Sequence, residues 1–441
     1  MKKLLIITYY WPPSGGSGVQ RWLKFTKYLP EFGWEPIVYT PENPNFDIKD
    51  QSLLKDISPN TVVLKRKIWE PYHIYQFFAG KKNNKPSKEG NKPKSKKSEL
   101  LHKIAFTLRG NLLIPDPRCF WIKPSVKYLT KYLKENPVDA IVSTGPPHSM
   151  HEIALKLHRK TDIPWIADFR DPWTNIDFYK DLNLTCLADK IHHKKEQKVI
   201  SEANCIVSVT PTLCAEFEEK DPQKVALIYN GYDEADIVKK EVILDSDFSL
   251  VHIGIISYSN YRKNKNKDLN HNVLWEALHL LVKENEEFRK ALKVKLIGKV
   301  DTAILSDIER YELSPFVEVI GYLPHVEVIE FQQKAQVLLL LINNTPKAKG
   351  ILTGKLFEYM ASQRPILAIA PTGSDITKLL HETKAGSSID FQDVEGMKNT
   401  LLHLFEQYQS GTLSSSATGY KQYSRRAQCE IMAQLLNEIN K

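Results

Sequence analysis

Two strongly apolar runs, Val337 to Ile342 and Ile366 to Ala370, bracket a short helical pattern, Gly354-Lys355-Leu356-Phe357-Glu358-Tyr359-Met360-Ala361. Pro371 stops the second run, and Arg364-Pro365 introduces it. Strand, tight turn, helix and strand in that order is the grammar of a parallel sheet. A helix that opens on glycine at the end of a buried strand presents free backbone N–H groups and the positive end of its dipole, the arrangement that receives phosphates in such sheets. A carboxylate one turn in, Glu358, can accept hydrogen bonds from the vicinal hydroxyls of a ribose. A glutamate near a helix start is also favoured by the dipole alone. Local spacing therefore leaves nucleotide binding and plain helix stabilisation both open.

The rest of the chain repeats this grammar. In the first half, strands are expected at Leu4 to Thr8, Trp34 to Thr40, Asp139 to Thr144, Trp165 to Asp168, Cys205 to Val209 and Val225 to Tyr229. Helices are expected at Gly18 to Leu29, Ser125 to Lys134, Ser149 to Arg159 and about 187 to 202. Residues 41 to 125 read as irregular and lysine-rich, with helices at 70–79 and 99–109. The second half restarts with strands at Phe248 to Gly254, Val294 to Gly298 and Val317 to Ile320. The helix Asn272 to Glu286 carries Leu274, Leu278 and Leu281 on one face. Gly411 to Gly419 reads as a linker. The tail, Tyr420 to Asn440, reads as a helix whose inner face is Tyr423, Ala427, Ile431 and Leu435. The expected domains are 1–240, with a lysine-rich insertion at about 80–98, then 241–415, then a crossover helix at 416–441.

A chain of 441 residues has room for two or three domains, and 42% hydrophobic with 26% charged residues is ordinary globular composition. The five cysteines, at 119, 186, 205, 214 and 429, show neither metal-ligand spacing nor pairing and read as free thiols in a reducing compartment. Met1 to Ile7 imitates a signal peptide but ends in Trp11-Pro12-Pro13 without a small-residue cleavage site, so it reads as the first strand. No stretch approaches the roughly 20 apolar residues of a membrane span. The expected location is cytoplasmic. The net charge of +9 is concentrated, since residues 81–97 hold eight lysines, one acid and no apolar residue. Such a run cannot bury anything and reads as a mobile surface loop. It suits anionic lipid head groups at about 1 kcal/mol per lysine, at the inner membrane face, and is equally compatible with a solvated insertion. Lysines without interleaved aromatics argue against nucleic acid.

Four further groups sit where chemistry is expected. Gly15-Gly16-Ser17-Gly18 follows the first strand and lets backbone N–H groups approach a phosphate or sugar, though a tight turn needs the same residues. Gln20 and Arg21 follow on the helix, on what the resemblance described below implies is an acceptor side. Asp168-Phe169-Arg170-Asp171-Pro172-Trp173 puts charged groups at a strand's carboxyl end, where α/β enzymes place their chemistry; a structural Asp–Arg pair is the alternative. His148 ends another strand after Gly145-Pro146-Pro147. Arg262 and Lys263, beyond the strand ending at Gly254, suit the negative charge of a departing diphosphate. No Asp-x-Asp metal motif accompanies any of these loops.

Together these segments resemble glycosyltransferase family 4 and its relatives, nucleotide-sugar enzymes of the GT-B fold. The resemblance rests on Glu358 with Gln363-Arg364-Pro365-Ile366, the Pro12 to Gly18 loop, Asn230-Gly231-Tyr232-Asp233 and His252-Ile253-Gly254. It implies two Rossmann-like domains facing across a cleft, with a C-terminal helix crossing back to the first. It implies donor binding by Gly16, Arg262, Lys263, Gly354, Lys355 and Glu358, with Glu358 on the ribose. Arg170, Asp168, His148 and Arg262 would carry catalysis, without a metal or a cofactor other than the nucleotide diphosphate sugar. The chain departs from the family twice. The first glutamate of the family's pair would fall at Gly350, and Arg170 stands where many relatives carry a histidine. The implied activity is sugar transfer, with retention, to a glycan or polyprenyl-linked acceptor in surface polysaccharide or lipopolysaccharide assembly. A nucleotide-sugar epimerase on the same fold and a catalytically idle sugar-nucleotide-binding protein are the rivals.

Overall fold

In a computed structural model of the chain, the described residues are 1–46, 48–71, 107, 110–222, 224–237, 242–257 and 271–441. The lysine run 81–97, Arg262, Lys263 and nearly all of the helices expected at 70–79 and 99–109 lie outside them. The chain divides into two compact units. The first comprises Met1–Val209, Leu213–Ile228 and Cys429–Lys441; the second comprises Thr210–Thr212 and Tyr229–Gln428.

The first unit is built on seven strands: β1 (Lys2–Ile7), β2 (Trp34–Pro41), β3 (Val62–Arg66), β4 (Ala140–Gly145), β5 (Trp165–Phe169), β6 (Cys205–Ser208) and β7 (Val225–Leu227). They lie parallel in the order β3-β2-β1-β4-β5-β6-β7. The central strands are apolar on both faces because helices cover both. Leu5, Ile7, Ile141 and Ala167 pack into one core layer, and Leu4, Ile6, Val142 and Ile166 into the other. The second unit has six parallel strands: β8 (Phe248–Ile253), β9 (Leu292–Ile297), β10 (Val317–Ile320), β11 (Val337–Leu341), β12 (Ile366–Ile369) and β13 (Gly386–Ile389). Their order is β10-β9-β8-β11-β12-β13.

Both sheets reverse their winding once, between β1 and β4 in the first and between β8 and β11 in the second. In doubly wound sheets the crevice at such a reversal, beyond the carboxyl ends of the strands, is where ligands bind. The residues that follow β1 and β4 are the glycine loop and Pro146-Pro147-His148. Those that follow β8 and β11 are Gly254 and the segment leading to Gly354. Topology alone thus selects the same segments as the motifs.

Two edge strands were not expected. In β3, within the stretch read as irregular, Val62 is exposed and no residue is buried; β13 reads Gly-Ser-Ser-Ile. Edge strands need no second buried face, so their sequences lack the apolar signal. The tail is helical at Arg425–Glu438, but its inner face differs from the expected one. Cys429, Met432, Ala433 and Leu436 pack into the first unit's core, whereas Ile431 is 40% exposed. At 3.6 residues per turn, a constant step of four drifts around the helix by about 40° each time. Only alternating steps of three and four stay on one face.

Candidate functional site

In the second unit, β11 leads through a 3-10 turn, Ala348–Gly350, into the Gly354–Ala361 helix. Thr353 is the residue before the helix, and its side chain makes no capping bond. Its hydroxyl is buried without a hydrogen-bond partner among the described residues. A Cβ built on Gly354 would meet nothing within 4 Å. Neither a positive φ nor a neighbour demands glycine there, and its absence of side chain leaves open space at the positive end of the helix. The helix is tied to the sheet by Tyr359, whose hydroxyl accepts from Ile253 N at 3.0 Å, beside the end of β8.

Glu358 lies one turn in. Its Oε2 accepts from Lys355 Nζ at 2.8 Å and from Gln332 Nε2 at 3.4 Å, and its Oε1 is 3.9 Å from Arg425 Nη2. Burial pushes the carboxyl's pKa up, but Lys355, Arg425 and His325 outweigh it and bring it down to about 2. Glu358 is therefore a committed anion. Beside it lies a small open hollow walled by Tyr232, Ile237 and Ile329 and edged by Asp233, Asp236, His325, Gln332 and Gln333. His325 Nε2 and Asp236 Oδ2 are 3.1 Å apart. Asp236, His325, Gln332 and Gln333 escaped the sequence reading because they come from a linker and a helix without a motif, whereas Asp233 closes the Asn230-Gly231-Tyr232-Asp233 segment.

At the end of β8, His252 is buried, and its Nδ1 is 3.0 Å from Leu339 O. That contact makes Nδ1 the donor and leaves a lone pair on Nε2, which is buried without a partner among the described residues. Burial, with the nearby Lys355 charge, lowers His252 to about 4 against the opposing bond to Leu339; burial and His252 lower His271 to about 3. Both rings are neutral near pH 7. Gly350, where the family's first acid was expected, is packed tightly: a Cβ there would come within 2.8 Å of Thr212 Cγ2. Thr212 is itself held by Asp375, which accepts from its N and Oγ1 at 3.0 Å each.

In the first unit, Gly16 has φ 83° and ψ −175°, a conformation that only glycine adopts readily, and it precedes the Ser17–Tyr28 helix. Asp168 is fully buried. It accepts from Arg21 Nη2 at 3.1 Å and Nε at 3.3 Å, from Trp22 Nε1 at 2.7 Å and from Thr144 Oγ1 at 2.9 Å. Arg21 is thus an interior partner of Asp168, 2% exposed, and not the acceptor-side residue expected from its place on the helix. Arg170 donates from Nη1 to Gly18 O at 2.9 Å and from Nη2 to Pro146 O at 2.6 Å, joining the glycine loop to the loop after β4. His148 stacks on Trp173, with ring centroids 4.7 Å apart and planes 2° apart. Burial, then His151 and Arg170, hold His148 well below its ordinary value, and burial with Arg170 brings His151 to about 3. The structure therefore gathers Gly16, His148, Asp168 and Arg170 around one strand-end crevice, and Gly354, Lys355 and Glu358 around the other. Among the described residues no group of three or more His, Cys, Asp or Glu could hold a metal ion, and no helix is long and apolar enough to cross a membrane.

A doubly wound unit with a glycine-opened helix start and an anionic residue one turn in has the architecture of open α/β sheets that bind ligands beyond the carboxyl ends of their strands. Residues 254–407 match the family model described as glycosyl transferases group 1. Over the whole chain the fold is that of GT-B proteins. Sucrose-phosphate synthase from Thermosynechococcus elongatus matches 100% of this chain and 96% of its own at TM-score 0.56 and 13% identity. WaaG, a glycosyltransferase involved in lipopolysaccharide biosynthesis, matches 98% and 99% at 0.53 and 11%. S. aureus TarM, in complex with fondaparinux, α-GlcNAc-glycerol and UDP, matches 99% and 96% at 0.54 and 13%. No curated protein sequence matches the chain.

Proposed function

We propose that this protein transfers a sugar from a nucleotide diphosphate sugar to a glycan or polyprenyl-linked acceptor, with retention, in surface polysaccharide or lipopolysaccharide assembly. The observation that carries the reading is the Gly354–Glu358 helix start, with open space over Gly354 and a committed carboxylate beside a hollow. In this reading the Gly354 end of the helix and Lys355 hold the diphosphate, and Glu358 holds the ribose. Arg262 and Lys263 neutralise the leaving oxygen, so that cations and the helix dipole do the work of a divalent metal. Asp168 fixes Arg21 and Trp22, while Arg170 and His148 shape the strand ends of the first unit. His148, neutral and stacked, positions and does not carry charge. The departing phosphate takes the acceptor proton. The run 81–97 holds the protein at an anionic membrane face. WaaG's part in lipopolysaccharide biosynthesis and the UDP bound to TarM support the setting and the donor class.

The test is turnover of UDP- and GDP-sugars with a membrane extract as acceptor source, by wild type and Glu358→Ala. The expected result is acceptor-dependent nucleotide release that falls by about 100-fold in the variant, as when a charge-assisted contact to substrate is lost. Epimerised sugar formed without acceptor would replace the transferase reading with the epimerase one. No turnover of any donor by either protein would favour the idle binder.

A further inference from the structure

Glu358 carries two cations of different mobility. Arg425 is pinned: its side chain is 4% exposed and its Nε donates to Asn230 O at 3.4 Å. Lys355 is 31% exposed, on a flexible four-carbon stem, and its ammonium makes the short contact of 2.8 Å to Oε2. A ribose diol donates hydrogen bonds to the carboxylate but brings no opposite charge, whereas the Lys355 ammonium brings both. A diol alone therefore competes poorly with the Lys355 ammonium for the same oxygen. The ammonium yields when it gains a better anion. Lys355 is the second residue of its helix, next to Gly354 and its open space, so a diphosphate at the helix start lies within the sweep of its side chain.

We propose that Lys355 is an exchangeable cation, neutralising Glu358 without nucleotide and moving to the diphosphate when one binds at the Gly354 helix start, which frees Glu358 for the ribose. The inference rests on the nucleotide-sugar reading. It makes ribose grip conditional on diphosphate grip, so the site discriminates nucleoside diphosphates from nucleosides beyond the direct value of the phosphate contacts. Lys355 thereby sets specificity through two contacts that alternate.

The test is calorimetric titration of the full chain with uridine, UDP, guanosine and GDP, in wild type, Lys355→Met, Lys355→Arg, Glu358→Gln and the Lys355→Met/Glu358→Gln double variant. In Lys355→Met the better-binding diphosphate should weaken by about 10- to 100-fold, the value of a charged hydrogen bond, while its nucleoside strengthens several-fold. Lys355→Arg should keep the wild-type preference and serves as the folded control. The nucleoside gain should vanish in the double variant, because the released carboxylate is gone. Equal weakening of nucleoside and diphosphate in Lys355→Met, or no change in either, overturns the exchange. A wild type that binds no diphosphate, or a Glu358→Gln protein that binds all ligands as before, instead overturns the nucleotide-sugar reading, and the exchange with it.

Discussion

Asp168 and Glu358 are acidic residues beside the strand-end crevices of two similarly wound sheets, yet their surroundings differ. Asp168 is sealed, with four donor contacts from three side chains closing on it. Glu358 is 17% exposed, faces a hollow, and is held by cations of which one is loosely anchored. A carboxylate saturated by fixed donors has nothing left to offer a ligand; one balanced by a movable charge does. The difference separates a residue that organises its unit from one that meets substrate, although motif and strand position give both the same standing.

The largest expected effect comes from breaking the sealed member. Asp168→Ala removes the carboxylate that pairs with the buried Arg21 guanidinium, which costs about 3–5 kcal/mol. Glu358→Ala releases Lys355 to solvent but removes the carboxylate beside the buried Arg425, so it costs less, about 1–3 kcal/mol, while nucleotide binding is lost. Urea unfolding of both variants beside wild type measures this. A loss under about 1 kcal/mol for Asp168→Ala would refute the organising role.

Acid sharpens the comparison next. His151 in the first unit and His252 and His271 in the second titrate at about 3, about 4 and about 3 when folded, because burial disfavours the imidazolium. In the unfolded chain they titrate near 6.5. Their stabilisation is complete above pH 6.5 and is lost as pH falls from there toward the folded values, as the unfolded state takes up protons that the folded one refuses. Each contributes up to about 1.4 kcal/mol per pH unit. Glu358, brought down to about 2 from 4.5, acts in a lower window, stabilising fully above pH 4.5 and losing that contribution between 4.5 and 2. Unfolding midpoints should therefore drop between pH 7 and 5 in both units, before Glu358 matters. A Glu358→Gln protein should follow wild type down to about pH 4.5 and diverge below it. Midpoints flat from pH 7 to 5 would show that the imidazoles are hydrated.

Much of this was legible in the sequence because parallel strands buried on both faces write themselves as apolar runs. Val337 to Leu341 and Ile366 to Ile369 needed no structure to be found. β3 and β13 were illegible for the converse reason, since an edge needs no such run. Side-chain partners were also beyond reach. That Asp168 would take Arg21 and Trp22, 147 and 146 residues away in sequence, is a fact of packing with no local signature. Gln363 shows how a motif can be readable while its reason is not. It adopts φ 57°, the left-handed conformation that suits glycine, and nothing in the residue type announces it.

The smallest effect separates the two helix-opening glycines. Gly16 holds φ 83° with extended ψ, so Gly16→Ala is strained whatever space surrounds it and should cost about 1–3 kcal/mol. Gly354 has no such requirement, and a methyl group there meets nothing within 4 Å. Gly354→Ala should instead raise stability by about 0.4–1 kcal/mol through a less flexible unfolded chain. The same methyl group projects into the space where the diphosphate would approach the helix N–H groups, so UDP or GDP affinity should fall while stability rises. Opposite signs in one variant are the mark of a glycine kept for a ligand. If Gly354→Ala stabilises the protein and binds nucleotide as tightly as wild type, the space over Gly354 is not the phosphate site, and the contrast between the two crevices narrows to Glu358 and its cations.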